Sequence, residues 1–270
     1  MTAMPDLAAN IAKADSFVRE AVASGARLVL LPEWWAAAGT TAHRRAAAQS
    51  LDGDAIVWAA ATAAELRIDL IAGSVTELIE GQEKVHNTCV HLGPDGQRKA
   101  IYRKIHLFDN ELEGASFRES EHHLPGDKIV SSEAADGTVL GLSICYDLRF
   151  PELYRLQTVE GAKILLVPAC FTRTTTEAHW QTLLRARAIE NHCFVVAANQ
   201  VGEIALGMEC GGDSMILDPW GTALAQADRT SEMVISAELD FSELERIRSE
   251  LPSLAARQPH TYGSVQRGLQ

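Results

Sequence analysis

Short apolar runs separated by amphipathic stretches constrain this chain more than any other feature. Leu28 to Leu31, Ile68 to Gly73, Thr138 to Ile144, Ile164 to Val167 and Cys193 to Ala198 are each too short for a buried helix and have the length of strands covered on both faces. Between them the period changes. Leu7, Ile11, Ala14, Phe17, Val18 and Ala21 recur at helical spacing until Gly25, which predicts a helix over 6–24. A second helix is predicted over 54–66, a third from Pro151, an acceptable first helical residue, a fourth over Ala178 to Asn191 and a last from Phe241. Gly93, Pro94, Asp95 and Gly96 supply turn chemistry between Lys84 to Leu92 and Gln97 to Arg103, so those runs read as a hairpin. His106 to Asp127 reads as irregular, and three more strand-like pieces fall between Ser214 and Ala237. Strands that alternate with helices early and pair as hairpins late define an α/β layered fold with a mixed sheet. No Pro-rich or Gly/Ser-rich linker and no internal repeat divides the chain, so 1–270 reads as one domain.

Charge narrows the partners. With 36 acidic against 24 basic residues, the net charge of -12 repels phosphate backbones and anionic lipid, and no run of Lys and Arg overrides it locally. Nucleic-acid and membrane roles are therefore disfavoured. The start of the chain has no basic segment leading into an apolar one, and no later stretch approaches a membrane-spanning length, which reads as cytoplasmic. Cys89, Cys145, Cys170, Cys193 and Cys210 are widely spaced, odd in number and without a CxxC pair, so they signal neither a disulfide framework nor a zinc knuckle.

Three of the apolar runs end on a side chain that does chemistry: Glu33 follows LVLLP, Lys104 follows AIYR and Cys145 follows TVLGLSI. Open α/β sheets gather ligands at the carboxyl ends of their strands, where a polar group is held rigidly without entering the core. A free thiol has a pKa of about 8.5, which a neighbouring lysine would lower while a carboxylate accepts the proton. Glu33 would then return that proton to departing ammonia and activate water. Lys104 and the backbone N–H of Tyr146 would hold the oxyanion, a role worth roughly 3 kcal/mol per donor. Taken singly, a glutamate after a strand is usually a solvated residue or a cap, a lysine is usually on the surface and a cysteine is usually inert in the core. Their common placement is what argues for acyl transfer.

The surrounding sequence carries a resemblance. LPEWW at Glu33, YRKIHLFD at Lys104 and GLSICYDLRFPELYR at Cys145 resemble, in content and order, the three signature segments of the nitrilase superfamily, also called carbon-nitrogen hydrolases. FRES at Phe117 to Ser120, HWQTLLRARAIEN at His179 to Asn191 and GGDSMILDPWGT at Gly211 to Thr222 extend it over nearly the whole chain. The resemblance implies an αββα sandwich whose subunits pair as a homodimer or assemble into a higher homo-oligomer, a Glu-Lys-Cys triad, a thioester intermediate, and neither metal nor organic cofactor. It implies Glu33 as general base, Lys104 as cationic stabiliser, Cys145 as nucleophile and Glu119 as a second, substrate-positioning glutamate. Two departures stand out. The opening residues, MTAMPDLAANIAKA, resemble those just after the family's usual first strand, which implies a sheet one strand short with an exposed edge, through a late start codon or a truncation. The loop Asn110 to Ala115 reads NELEGA where a glycine-containing stretch is more usual, which would alter the pocket.

Among branches, the chain resembles the one containing omega-amidases and deaminated-glutathione amidases, which implies a small amide substrate bearing a carboxylate. LLRARAIEN, VVAANQVG and SMILDPWGT lean toward the deaminated-glutathione type. A guanidinium grips a carboxylate bidentately, and Arg173 in CFTRTTTEAHW is the candidate, with a surface arginine as the alternative. Rival functions are an N-carbamoyl amidohydrolase, a nitrilase, a Cys-His hydrolase using His106, and a degenerate binding module. Other prominent residues have structural explanations. Arg149, Glu152 and Arg155 suggest an ion-pair network at a helix start, Asp147 an architectural role, and Trp34 and Trp35 either a pocket wall or core. His122 and His123 are adjacent and lack a third ligand at metal spacing. Cys89, Cys170, Cys193 and Cys210 fit as small buried residues, and Gly211 and Gly212 form no phosphate loop.

Overall fold

The structure, a computed structural model, describes residues 1–112, 115–205 and 207–262. Its helices are α1 (Leu7–Ala23), α2 (Thr41–Ala46), α3 (Asp54–Leu66), α4 (Pro151–Val159), α5 (Arg173–Thr175), α6 (Gln181–Asn191), α7 (Phe241–Glu250) and α8 (Pro259–Tyr262). The strands of the first half are β1 (Leu28–Leu30), β2 (Asp69–Ile71), β3 (Val75–Glu77), β4 (His86–Leu92), β5 (Arg98–Arg103), β6 (Asp109–Leu112) and β7 (Ala115–Arg118). Those of the second half are β8 (Ser131–Glu133), β9 (Val139–Leu142), β10 (Ile164–Ala169), β11 (Phe194–Asn199), β12 (Val201–Ala205), β13 (Met208–Gly211), β14 (Met215–Leu217) and β15 (Ala223–Gln226).

Two mixed sheets result instead of the one mixed sheet that the strand pattern alone suggests. In the first, β1 runs parallel to β2, β2 antiparallel to β4, and β4 antiparallel to both β3 and β5. The second has the order β15-β14-β11-β10-β9-β8, with β9, β10 and β11 parallel and the outer pairs antiparallel. Alternation along β4 explains the layering. Cys89 joins Ile71 and Tyr102 against Leu140, Leu142, Ile164 and Leu166 of the second sheet, whereas Val90 and Leu92 pack with Ala14 and Val18 of α1 and Ala59 and Ala63 of α3. Leu153 and Tyr154 of α4, with Leu184 and Ala188 of α6, cover the other face of the second sheet. The layers are therefore helix, sheet, sheet, helix, the αββα sandwich.

Several short elements escape the sequence pattern. The stretch read as irregular contains the hairpin β6/β7, and β12/β13 forms another. The helix predicted from Ala178 begins instead with a π-helical turn, Thr176–Trp180, that leads into α6. Of the three strand-like pieces after Ser214, two pair as β14 and β15; the third, around 233–237, joins no ladder among the described residues, because a strand forms only where a neighbour takes up its N–H and C=O groups. That piece borders a cleft of about 880 Å³ alongside β1, which is paired on one side only. Glu113 and Gly114, in the loop expected to reshape the pocket, lie outside the described residues.

One close approach places the end of β1. A Cβ on Gly73, whose φ is +48°, would come within 2.0 Å of the Pro32 carbonyl oxygen. The adjacent Ser74 hydroxyl accepts the Trp34 N–H at 3.1 Å, so the segment carrying Glu33 is pinned to the end of β2. Gly73→Ala is expected to lower the unfolding free energy by about 2–4 kcal/mol, from the left-handed conformation and the backbone clash together. Urea unfolding monitored by tryptophan fluorescence measures it.

Candidate active site

Four strand ends and one turn converge on a single buried cluster. Pro32, which has no N–H, ends β1, and Glu33 follows with its side chain fully buried. Its carboxylate Oε1 accepts hydrogen bonds from Asn87 Nδ2 of β4 at 2.8 Å and from Lys104 Nζ at 3.1 Å, while Oε2 accepts the Cys170 N–H, just past β10, at 2.8 Å. Lys104, next after β5, donates also to Glu119 Oε2 at 2.9 Å and Oε1 at 3.2 Å. Glu119 begins a 3₁₀ turn, Glu119–Glu121, and is held by the Phe108 N–H at 2.7 Å. Cys145 opens the 3₁₀ turn Cys145–Arg149 beyond β9, and its thiol lies beside the Glu33 carboxylate. The structure thus brings Glu33, Lys104, Glu119 and Cys145 together.

The turn carrying Cys145 is built around Asp147. Its carboxylate accepts the Ile144 N–H at 2.9 Å, the Tyr102 hydroxyl at 2.6 Å and the His106 N–H at 3.0 Å. Cys145 is thereby held at φ +47°, a left-handed conformation that few residues other than glycine adopt. Tyr146 is the second residue of this turn, so its N–H lies among the donors that a helix start leaves without an internal acceptor. His106 is committed elsewhere: its Nδ1 lies 2.7 Å from Asp147 and its ring stacks on Phe150, which removes the arrangement a Cys-His hydrolase needs.

Electrostatics correct one expectation. Burial disfavours the Lys104 ammonium, but the carboxylates of Glu119 and Glu33 outweigh it and hold its pKa well above the usual lysine range. Burial pushes the Cys145 thiol well up and the Glu33 carboxylate adds to this; Lys104 pulls the other way and loses. The lysine does not produce a low-pKa thiol, because burial and the facing Glu33 carboxylate together outweigh it. In such surroundings the thiol keeps its proton until it attacks.

The cluster forms the floor of a cavity of about 950 Å³, the size of a small-molecule site. Trp34, Phe108, Phe117, Tyr146 and Phe171 supply aromatic walls, whereas Trp35 is core, with its N–H donated to the Ala72 carbonyl at 2.7 Å. Arg173 stands at the wall but is occupied, with Nη1 2.6 Å from Glu209 and Nε 3.3 Å from Glu177. Arg149, Glu152 and Arg155 form no ion pair among the described residues; Arg149 lies over the Tyr146 and Phe171 rings instead, because the turn directs it toward the cavity. Nor do three His, Cys, Asp or Glu side chains gather there in a metal-binding group. Sequence reasoning missed Asn87 and Arg44. A polar Asn inside an otherwise strand-forming run was the available signal for the first.

A desolvated thiol, a carboxylate placed to take its proton and an ammonium placed to meet negative charge define a cysteine-type hydrolase. Comparison with known proteins identifies which kind. Residues 2–249 match the carbon-nitrogen hydrolase family, and the chain belongs to it, within the nitrilase superfamily. It is 39% identical to deaminated glutathione amidase of Synechocystis sp. (strain PCC 6803 / GT-S) over 260 residues, 95% of either chain. Omega-amidase NIT2 of Pongo abelii is 36% identical over 254 residues, 94% of this chain and 90% of that one. The crystal structure of the C. elegans NitFhit protein superposes with a TM-score of 0.88 at 34% identity, covering 97% of this chain; this chain spans 64% of that longer protein. The chain is accordingly an enzyme that hydrolyses amide C–N bonds.

Among the cluster's neighbours, His123 offers a stability test. Burial pushes its pKa down to about 4, with Arg44 and Lys104 adding to this against Glu119, so the folded protein holds it neutral. An unfolded histidine titrates near 6.5, so between pH 6.5 and 4 the unfolded chain binds a proton the folded one does not, and stability falls as pH falls. From pH 7 to pH 5 the wild type is expected to lose about 2 kcal/mol more than His123→Gln, measured by urea unfolding at each pH.

Proposed function

We propose that this enzyme hydrolyses the amide of a small carboxylate-bearing substrate, such as a 2-oxo-acid omega-amide or deaminated glutathione, through a thioester on Cys145. The observation that carries the reading is the buried Glu33, Lys104, Glu119 and Cys145 cluster at the floor of one cavity, and the two amidase relatives supply the substrate class. Cys145 Sγ attacks the amide carbon as its proton passes to Glu33, whose carboxylate lies beside it. The oxyanion is met by Lys104 Nζ and the Tyr146 N–H. Collapse of the intermediate breaks the C–N bond, and Glu33 returns the proton so that ammonia leaves. A water deprotonated by Glu33 then attacks the thioester, releasing the acid and restoring the thiol. Glu119 holds Lys104 in place together with Glu33 and positions the substrate.

The chain acts as one domain, and we place it in the cytoplasm, where its five unpaired cysteines stay reduced. We propose also that two copies pair through α4 and α6, whose adjoining outer faces carry Leu156, Val159 and Ile189 exposed to solvent. Leu156→Glu is expected to shift the protein from dimer to monomer in size-exclusion chromatography with light scattering; an unchanged mass removes that pairing.

Ammonia release from short omega-amides and deaminated glutathione tests the mechanism. Cys145→Ala and Glu33→Gln are each expected to lower kcat by roughly 1000-fold or more, with the fold intact by circular dichroism. Activity that persists in Cys145→Ala removes the mechanism, and carbon dioxide released along with ammonia would mark an N-carbamoyl substrate instead.

A further inference from the structure

The wall above the cluster contains a positive charge that no carboxylate among the described residues pairs with. Of the cations lining the cavity, Lys104 is matched by Glu33 and Glu119, Arg173 by Glu177 and Glu209, and Arg118 by Glu111. Arg44 and Arg149 have no carboxylate in ion-pair range among the described residues. They differ in how they are held. Arg149 is partly exposed on the Cys145 turn, with a contact to His179 at 3.3 Å. Arg44 is 6% exposed. It projects from α2, a short helix capped by Thr40, and its guanidinium carbon lies 3.9 Å from the centre of the Trp34 ring. Nη1 donates to the Gly39 carbonyl and Nη2 to the Thr41 hydroxyl at 3.2 Å, while Nε has no acceptor.

A guanidinium stays charged, and burying one without a counter-charge is costly, so such a group persists where a ligand supplies the missing anion. The nearby carboxylates do not serve. Glu119 and Glu33 act on Arg44 only at a distance, being engaged by Lys104. The platform under Arg44 is itself specialised: Trp34 is held at φ +54° immediately after Glu33, a strained conformation for so large a residue. Lys104 Nζ lies 5.8 Å from the centre of the same ring, so the two cations are no further apart than their two distances to that centre together. A substrate with its amide at Lys104 would need a chain no longer than that summed span to bring a carboxylate to Arg44.

Resting on the amidase reading, we propose that Arg44 is the residue that selects the substrate, its unpaired charge receiving the substrate's carboxylate. This replaces Arg173, whose charge is already matched. The selected class is a short acyl amide with a carboxylate at the end remote from the scissile bond. Arg44 touches no reacting atom, so its contribution appears in KM more than in kcat.

The test compares two amides of equal length, one ending in a carboxylate and one in a methyl group, hydrolysed by wild type, Arg44→Met and Arg44→Lys. Wild type is expected to prefer the carboxylate. In Arg44→Met the ratio of kcat/KM values falls roughly 100-fold, mainly through KM, as for loss of one partner of a desolvated charge pair. Arg44→Lys, which keeps the charge but not the planar fork, falls between. Failure of wild type to hydrolyse either amide removes the amidase reading itself. Hydrolysis without carboxylate preference, or a preference undiminished in Arg44→Met, overturns the role of Arg44 alone. If Arg44→Met does not fold, Arg44→Lys decides, and a preference equal to wild type's overturns the assignment. A preference lost in Arg149→Met but retained in Arg44→Lys gives the role to Arg149.

Discussion

An ammonium buried between two carboxylates is the interaction on which the rest of this molecule depends. Lys104 has almost no contact with solvent, and both of its partners are buried with it. Removing three charged groups from water costs several kcal/mol apiece unless each is paired and hydrogen-bonded. That condition is met by groups from both sheets and their loops: Asn87 and the Cys170 N–H on Glu33, and the Phe108 N–H on Glu119. Burial, with the Glu33 carboxylate adding to it, disfavours a thiolate beside the cluster even though Lys104 favours one. The proposed proton transfer from Cys145 to Glu33 during attack fits that preference.

The sandwich makes this arrangement affordable in geometric terms. Glu33, Asn87 and Lys104 come from the first sheet, Cys145 and Cys170 from the second, and the site forms where the strand ends of the two meet. Asp147 ties the halves together, since it organises the Cys145 turn while accepting the hydroxyl of Tyr102 on β5. A change in the packing of either sheet therefore moves the thiol relative to the carboxylate and ammonium. The cavity above is open to substrate, and the proposed selection by Arg44 occurs on the α2 side of the same Trp34 ring that faces Lys104.

Much of this was legible in the sequence, for reasons particular to the residues. Glu33, Lys104 and Cys145 each end an apolar run, and a strand end has few places to put a polar side chain, so their meeting could be anticipated. Two sheets instead of one, and the short hairpins β6/β7 and β12/β13, could not be read from periodicity, because each such strand is too brief to show a pattern. Arg173 was a reasonable candidate by residue type. Its charge is met by Glu209, 36 residues away in the chain and visible only once the segments fold together. Arg44 was hidden for the converse reason: nothing in its local sequence marks it, and only the tertiary structure buries it. The sign of the Cys145 shift was equally out of reach, since proximity to a lysine says nothing of burial or of a second carboxylate.

The charge balance of the cluster is most directly tested by the thiolate absorbance of Cys145, taken as the 240 nm difference between wild type and Cys145→Ala across a pH titration. With the carboxylates in excess, no thiolate signal is expected at pH 7, and Glu119→Gln, which leaves Lys104 facing one carboxylate, is expected to bring the onset to lower pH. A full thiolate signal in the wild type at pH 7, unaffected by Glu119→Gln, would contradict the coupling of proton transfer to attack.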